Sequence, residues 1–267
     1  MADSFDVIVI GSGTGGYSAA LRAASLGKKV ALVERDQRLG GTCLLRGCIP
    51  TKALLQSAAV LDHVERSEEW GITAKGEPDW PKVLDFQKRI VDKLVGGLTS
   101  LVKARKIEVV AGTGKLTAPD TVEVDGRALK APNIVVATGS YPKLLPGMEI
   151  SDRVITSNQA LALDRIPSSA VVIGAGAVGL EFASLYRSFG ADVTLIEALD
   201  RLAPLEDADI SKEVARAFKK RGIAAHAGAK VQDVKEKKSA VTVTSRAAGR
   251  PRRSTPTSAS WPLVAAP

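Results

Sequence analysis

Cys43 and Cys48 are the two cysteines of a 267-residue chain, and both lie in one stretch, GGTCLLRGCIPTK, residues 40–52. A pair this close can hold a metal, form a redox-active disulfide, or sit as two buried thiols. Metal binding needs further ligands beside the thiols, and none stands nearby, so no metal site is expected. Five positions along a regular helix is a rise of about 7.5 Å, beyond the roughly 4.4–6.8 Å usual between disulfide-linked Cα atoms. A bond between these two therefore needs a distorted turn, for which Gly47 is suited. A constrained, accessible disulfide of that kind is the reducible, catalytic sort. Pro50 fits the first position of a helix that follows.

Two glycine-rich loops offer a second kind of chemistry. Gly11, Gly13 and Gly16 make a GxGxxG pattern after the apolar run VIVI, and Gly174, Gly176 and Gly179 repeat it after VVI. The first glycine permits a tight turn, the second lets a pyrophosphate approach the backbone, and the third lets helix and strand pack closely. The amides at the start of the following helix then face the phosphates. Glu34 and Glu197 each stand 23 positions after the first glycine of their loop, where a carboxylate can take ribose hydroxyls. Two complete fingerprints imply two dinucleotides and electron transfer between them. Glu197 favours NAD over NADP, since a carboxylate repels a 2′-phosphate. Arg201 is read as a surface charge.

These residues need elements to position them. VIVIGSGTGGYSAALRAASLGKKVALVE, residues 7–34, and VVIGAGAVGLEFASLYRSFGADVTLIE, residues 171–197, each read as strand, glycine loop, helix and strand. Helical patterning covers about 50–64, 80–103 and 210–221. Strands are expected at 107–110, 121–124 before Asp125–Gly126, 133–137 and 223–226, with a hairpin over 230–244. The fold class expected is α/β: two Rossmann-like dinucleotide-binding domains with parallel sheets and small β-meanders. The first covers residues 1–147 and the second 148–244, with a linker near Pro142, Pro146 and Gly147. Residues 245–267 hold four prolines and no amphipathic period, and are expected to be a disordered tail.

Bulk composition narrows the partners. The formal charge of +8 invites a nucleic-acid reading, but Arg246, Arg250, Arg252 and Arg253 in the tail supply half of it. The rest is mixed in sign, and aromatic residues are 4% of the chain, so no base-stacking platform is expected. No apolar run reaches the length of a membrane span. The start, MADSFDVIVIG, lacks the basic opening and cleavage site of a signal peptide, so a cytoplasmic location is expected.

Taken together, GGTCLLRGCIPTK, the two fingerprints and Ala137-Thr138-Gly139-Ser140 resemble the two-dinucleotide flavoprotein disulfide reductases over residues 5–244. Within that family the dihydrolipoamide dehydrogenase type is most similar. Thioredoxin reductases are less so, because their cysteines have two intervening residues. The resemblance implies FAD and NAD as cofactors, with Cys48 beside the flavin in a charge-transfer contact and Cys43 exchanging with the dithiol substrate. Gly11, Gly13, Gly16, Glu34, Lys52, Gly114 and Ser140 would contact FAD. Gly174, Gly176, Gly179, Glu181, Glu197 and Val231 would line the NAD site, and Lys52 would pair with Glu181. The implied partners are the dihydrolipoyl groups of 2-oxo acid dehydrogenase or glycine cleavage complexes, and a second copy in a homodimer.

The family pattern also has segments with no counterpart here: a returning FAD-contacting segment with a Gly-Asp pair, and a C-terminal interface domain that supplies an acid–base His–Glu pair to the partner. His63 and His226 are the two histidines of this chain, and each is read as structural or surface. The tail reads as a shifted frame or a truncated product. The second sheet is therefore expected to lack a central strand, leaving an unpaired apolar edge and a poorly stable, weakly active or inactive chain. Leu263–Ala266, flanked by Pro262 and Pro267, is a poor substitute on sequence grounds. Other readings are a glutathione- or mercuric-reductase-like enzyme and a catalytically silent nucleotide-binding fragment.

Overall fold

The computed structural model describes residues 3–237, 240–247, 257–259 and 263–265, with side chains through residue 246. The chain forms two compact units: residues 1–50 with 86–141, and residues 51–85 with 142–267. The boundaries at 50/51 and 85/86 fall inside the helices Cys48–Glu65 and Trp80–Ala104. Residues 51–85 thus group with the second unit, whereas the linear reading put them in the first. The reason is packing: Leu54, Ala58 and Trp80 share a core with Val172, Phe182, Leu185 and Tyr186.

The first unit is built on a four-stranded parallel sheet in the order Glu108–Ala111, Val30–Glu34, Val7–Ile10, Asn133–Val136. Its central strands are apolar up to Glu34 because both faces are covered. Ile8, Ile10, Ala31 and Val33 face a cluster with Val122, Val124 and Leu129, while Val9, Val30 and Leu32 face Ala20, Val102 and Ile107. The first cluster belongs to a meander of Gly114–Ala118, Thr121–Val124 and Arg127–Lys130, joined at its edge by Asp3–Ser4. Asp125 and Gly126 both have positive φ, 48° and 83°. That is the two-residue turn whose twist suits a tight hairpin.

The second unit has a five-stranded parallel sheet in the order Ala224–His226, Asp192–Ile196, Ser169–Ile173, Leu263–Ala265, Val154–Thr156. A separate antiparallel sheet joins Ala229–Glu236, Val241–Ala247 and Thr257–Ala259. Two expectations are corrected here. The tail is not uniformly without structure, since residues 245–247, Thr257–Ala259 and Leu263–Ala265 lie in strands. Nor does the sheet lack its central strand: Val264 pairs with Val172 on one side and Ile155 on the other. Pro262 and Pro267 flank that strand in sequence. Both prolines, with Arg250, Arg252 and Arg253, lie outside the described residues.

The two glycine-loop repeats share one set of bonds at a constant offset of 163 residues. Gly11 N–H donates to Val33 O at 2.8 Å, and Gly174 N–H donates to Ile196 O at 2.8 Å. The helices Thr14–Ser25 and Ala177–Ser188 have the same length and are followed by Gly27 and Gly190, both with positive φ. Among the described residues no helix is long and apolar enough to cross a membrane.

Candidate functional site

Gly11 has φ +98°, and a Cβ there would lie 2.3 Å from Ala137 O. A Cβ on Gly16 would lie 1.8 Å from Gly11 O. No side chain fits at either position, so the backbone turns sharply and the helix Thr14–Ser25 starts directly against the strand. Gly13 caps that helix with no side-chain hydrogen bond, and Gly176 does the same for Ala177–Ser188. The first amides of both helices are thus left uncapped by side chains, as a bound phosphate requires.

Glu34 closes the loop from the far strand. Its side chain is 8% exposed, and Oε2 accepts from Ser12 N–H at 2.7 Å and from Ser12 Oγ at 2.6 Å. Oε1 accepts from Asp36 N–H at 2.9 Å. Glu197 repeats this arrangement: it is 8% exposed, with Oε2 accepting from Ala175 N–H at 2.6 Å and Oε1 from Leu199 N–H at 2.8 Å. A carboxylate has about four acceptor sites, so each retains capacity for a ribose hydroxyl.

A cleft in the first unit gathers five residues assigned to FAD: Gly11, Gly13, Glu34, Gly114 and Ser140. Gly16 lies outside its lining and serves the close packing just described. Lys52 groups with the second unit, where its Nζ donates to Glu181 Oε1. Asp36, Thr42, Arg46, Thr138 and Gly139 also line the cleft. Sequence reasoning did not single out Asp36 or Arg46. The signal was the carboxylate two residues after Glu34 and a base ten residues further on, which form an ion pair.

In the second unit, Gly174, Gly176, Gly179 and Glu197 come together around the loop. Val231 lies in the strand that begins beside Glu197, where Ala229 N–H donates to Glu197 O at 2.8 Å. Its side chain packs against the buried cluster that includes Val171, Ile173 and Ile196. A separate cleft, lined among others by Arg201, Lys212, Lys219 and His226, contains none of the residues assigned to NAD. Arg201 donates to Pro204 O at 3.1 Å.

The cysteines flank a helix break. Gly41–Arg46 is one short helix, Gly47 ends it, and Cys48–Glu65 begins a second. A Cβ on Gly47 would lie 2.9 Å from Thr42 O, so only glycine lets the chain turn so tightly there. This is the distorted turn that a bond between Cys43 and Cys48 requires. Cys43 is half-buried and Cys48 is exposed. The second helix starts at Cys48, so Pro50 is its third residue and not its first. Its missing N–H still costs nothing, because the first-turn amides have no partner within the helix. Among the described residues no group of three or more His, Cys, Asp or Glu is placed to hold a metal.

The pattern of the pyridine nucleotide-disulphide oxidoreductase family matches residues 5–251. This chain belongs to that family. Its relatives include a dihydrolipoyl dehydrogenase of Bacillus subtilis, 42% identical over 246 residues, covering 86% of this chain and 52% of that protein. Another, from Acholeplasma laidlawii, is 38% identical over 245 residues, covering 89% of this chain and 73% of that protein. The chain spans about half the length of most of the curated relatives it matches. Among solved structures, the Cu(II) complex of the HOCl-induced flavoprotein disulfide reductase RclA from Escherichia coli has a TM-score of 0.83 at 24% identity. It covers 99% of this chain and 57% of the other, and shows the shared fold.

Proposed function

We propose that this stretch of chain supplies two nucleotide sites and the redox dithiol of an oxidoreductase of the dihydrolipoyl dehydrogenase type. The observation that carries this reading is the helix break at Gly47 between Cys43 and Cys48, in the same unit as a glycine-loop cleft. Gly11, Gly13, Glu34, Gly114 and Ser140 would hold FAD, with Gly16 keeping the loop tight and Lys52 supplying a cation for the flavin. Gly174, Gly176, Gly179, Glu181, Glu197 and Val231 would hold NAD. FAD, when bound, would relay two electrons between the cysteine pair and NAD.

The chain's own residues would do the thiol chemistry. Cys43 in a disulfide with Cys48 would exchange with the dithiol of a dihydrolipoyl group. The substrate's two thiols close into a disulfide as Cys43 and Cys48 become two thiols, so two electrons and two protons reach the protein. Cys48 is the flavin-facing thiol, and Cys43 is the one that meets substrate. The dihydrolipoyl groups would be those of 2-oxo acid dehydrogenase or glycine cleavage complexes, in the cytoplasm, with a second copy of the chain as partner.

Exchange at Cys43 also needs a base. His63 Nδ1 lies 2.6 Å from Ala59 O on its own helix, and its ring stacks on Trp70. His226 sits in a strand of the second sheet. Neither is assigned that role.

The test is incubation with FAD, removal of excess, and a count of reactive thiols before and after dihydrolipoamide. Retained flavin and a rise from none to two reactive thiols per chain support the reading. Retained flavin with no change in thiols indicates a silent nucleotide-binding chain. A rise with reduced glutathione but not with dihydrolipoamide indicates a glutathione-reductase-like enzyme.

A further inference from the structure

We infer that Ser12 is a positioning residue: it ties the nucleotide cleft to the short helix carrying Cys43, so that filling the cleft changes the reactivity of Cys43. This rests on the reading that the cleft takes an adenine dinucleotide and that Cys43 is the exchanging thiol.

Ser12 is 0% exposed, and its hydroxyl is used twice. It donates to Glu34 Oε2 at 2.6 Å and accepts from Gly40 N–H at 3.2 Å. Gly40 N–H is shared with Ser12 O at 3.1 Å. Gly40 is the residue that starts the helix Gly41–Arg46. A Cβ on Gly41 would lie 2.5 Å from Gly13 Cα, so the helix start is in backbone contact with the glycine loop. The other end of the helix returns to the same carboxylate. Arg46 pairs with Asp36, whose N–H donates to Glu34 Oε1 at 2.9 Å. Through Ser12 and Asp36, Glu34 therefore braces the cysteine helix at its N-cap and its last residue.

The second repeat shows which of these bonds is additional. Ala175 stands where Ser12 does, and the shared links persist there: Ala175 N–H to Glu197 Oε2 at 2.6 Å, and Ala203 N–H to Ala175 O at 2.9 Å. Only the hydroxyl is missing, and no cysteine follows that loop. The extra hydroxyl thus occurs in the repeat whose loop leads into the cysteine helix. Gly13, Glu34, Asp36, Thr42 and Arg46 also line the cleft. A ligand there touches the same groups that hold the helix. A ribose at Glu34 draws on the acceptor that Ser12 uses, and a phosphate draws on Arg46.

The test is the alkylation rate of Cys43 by iodoacetamide in the reduced full chain, read by peptide mass spectrometry. ADP is the probe, because it lacks a flavin ring and cannot shield a thiol with one. Without nucleotide, Ser12→Ala is expected to raise the Cys43 rate about threefold or more, the size of one net hydrogen bond. Asp36→Asn should act in the same direction from the other end, and serves if Ser12→Ala does not fold. In the unmodified chain, saturating ADP should change the Cys43 rate severalfold; in Ser12→Ala, ADP should still bind by calorimetry with most of that change gone. An unaltered Cys43 rate in both variants overturns the inference, as does an ADP response equal in Ser12→Ala and the unmodified chain. Absence of ADP binding to the unmodified chain overturns the nucleotide reading, and the nucleotide-free rates then still decide whether Ser12 holds the helix.

Discussion

Lys52 Nζ donates to Glu181 Oε1, joining the helix that follows Cys48 to the helix that follows the second glycine loop. The Lys52 side chain is 60% exposed and that of Glu181 is 32% exposed. Water screens such a pair, and its contribution to stability is about 0–1 kcal/mol. Lys52→Met should therefore lower the urea midpoint only slightly, while weakening FAD retention if the cation serves the flavin. A double-mutant cycle with Glu181→Gln should give a coupling of about 1 kcal/mol or less. A coupling several times larger would mean that the pair is shielded from solvent.

Gly15 and Gly16 are neighbours with opposite surroundings. A Cβ on Gly16 meets Gly11 O at 1.8 Å, whereas one on Gly15 meets nothing within 4 Å. Gly16→Ala should destabilise the first unit by roughly 1–3 kcal/mol or more and abolish ADP binding. Gly15→Ala should stabilise it by about 0.4–1 kcal/mol, since alanine restricts the unfolded chain and suits a helix. Chemical denaturation of the two variants side by side checks the contrast. Equal losses would mean that the loop tolerates no added atom anywhere.

Glu197 accepts from the amides of Ala175 and Leu199, and the proposed function also gives it the ribose. Glu197→Ala should narrow the preference for NADH over NADPH, by removing both ribose acceptors and the repulsion of a 2′-phosphate. It should also destabilise the second unit by about 1–3 kcal/mol, because two amides lose their acceptor. The ratio of the two dissociation constants is the measurement. An unchanged ratio would show that the carboxylate serves the loop alone.

Tyr186 is buried in the second core, and its hydroxyl has no hydrogen-bond partner among the described residues. Burial pushes the pKa of the phenol well above its ordinary value. The native state thus favours the protonated form. The resulting contribution is whole below about pH 10, where an unfolded tyrosine ionises, and is lost as the pH climbs from there through the native value. Tyr186→Phe removes the partnerless hydroxyl and should leave the chain as stable or up to about 2 kcal/mol more stable at pH 8. Its advantage should widen above about pH 10, measured as the urea midpoint of both proteins across that range. A constant difference would place Tyr186 in contact with water.

The glycine loops, their carboxylates and the cysteine turn were readable in the sequence because each depends on a short, fixed spacing. Gly11 to Glu34 is one tight loop, one helix and one strand, and little else can be built from it. The meander was half legible. Asp125–Gly126 announces the turn, but Gly114–Ala118 has almost no buried face and so no alternation to read. Apart from Lys52 with Glu181, which the family resemblance implied, contacts between distant residues left no trace. Arg221 Nη2 donates to Ser188 Oγ at 2.7 Å and to Asp62 Oδ2 at 3.3 Å, across 33 and 159 positions. Nor could spacing show that Asp36 and Arg46 brace the cysteine helix, since the helix break at Gly47 decides where Arg46 ends up. The strand at Leu263–Ala265 was discounted for its prolines, although its three apolar residues suit a buried parallel position.

That strand governs when the second sheet can form. Val171–Ile173 and Val154–Thr156 are separated from each other until Leu263–Ala265 slots between them. The slot is filled by residues some 90 positions beyond the strand that begins the glycine loop. Closing so long a loop must precede any gain from the ladder, and non-local parallel pairing is intrinsically slow. The glycine loop and its helix are local in sequence, so they can be in place while the sheet behind them still has a vacancy. During that interval two parallel edges face solvent, and the kinetics of one late insertion decide how long this unit stays exposed to intermolecular pairing.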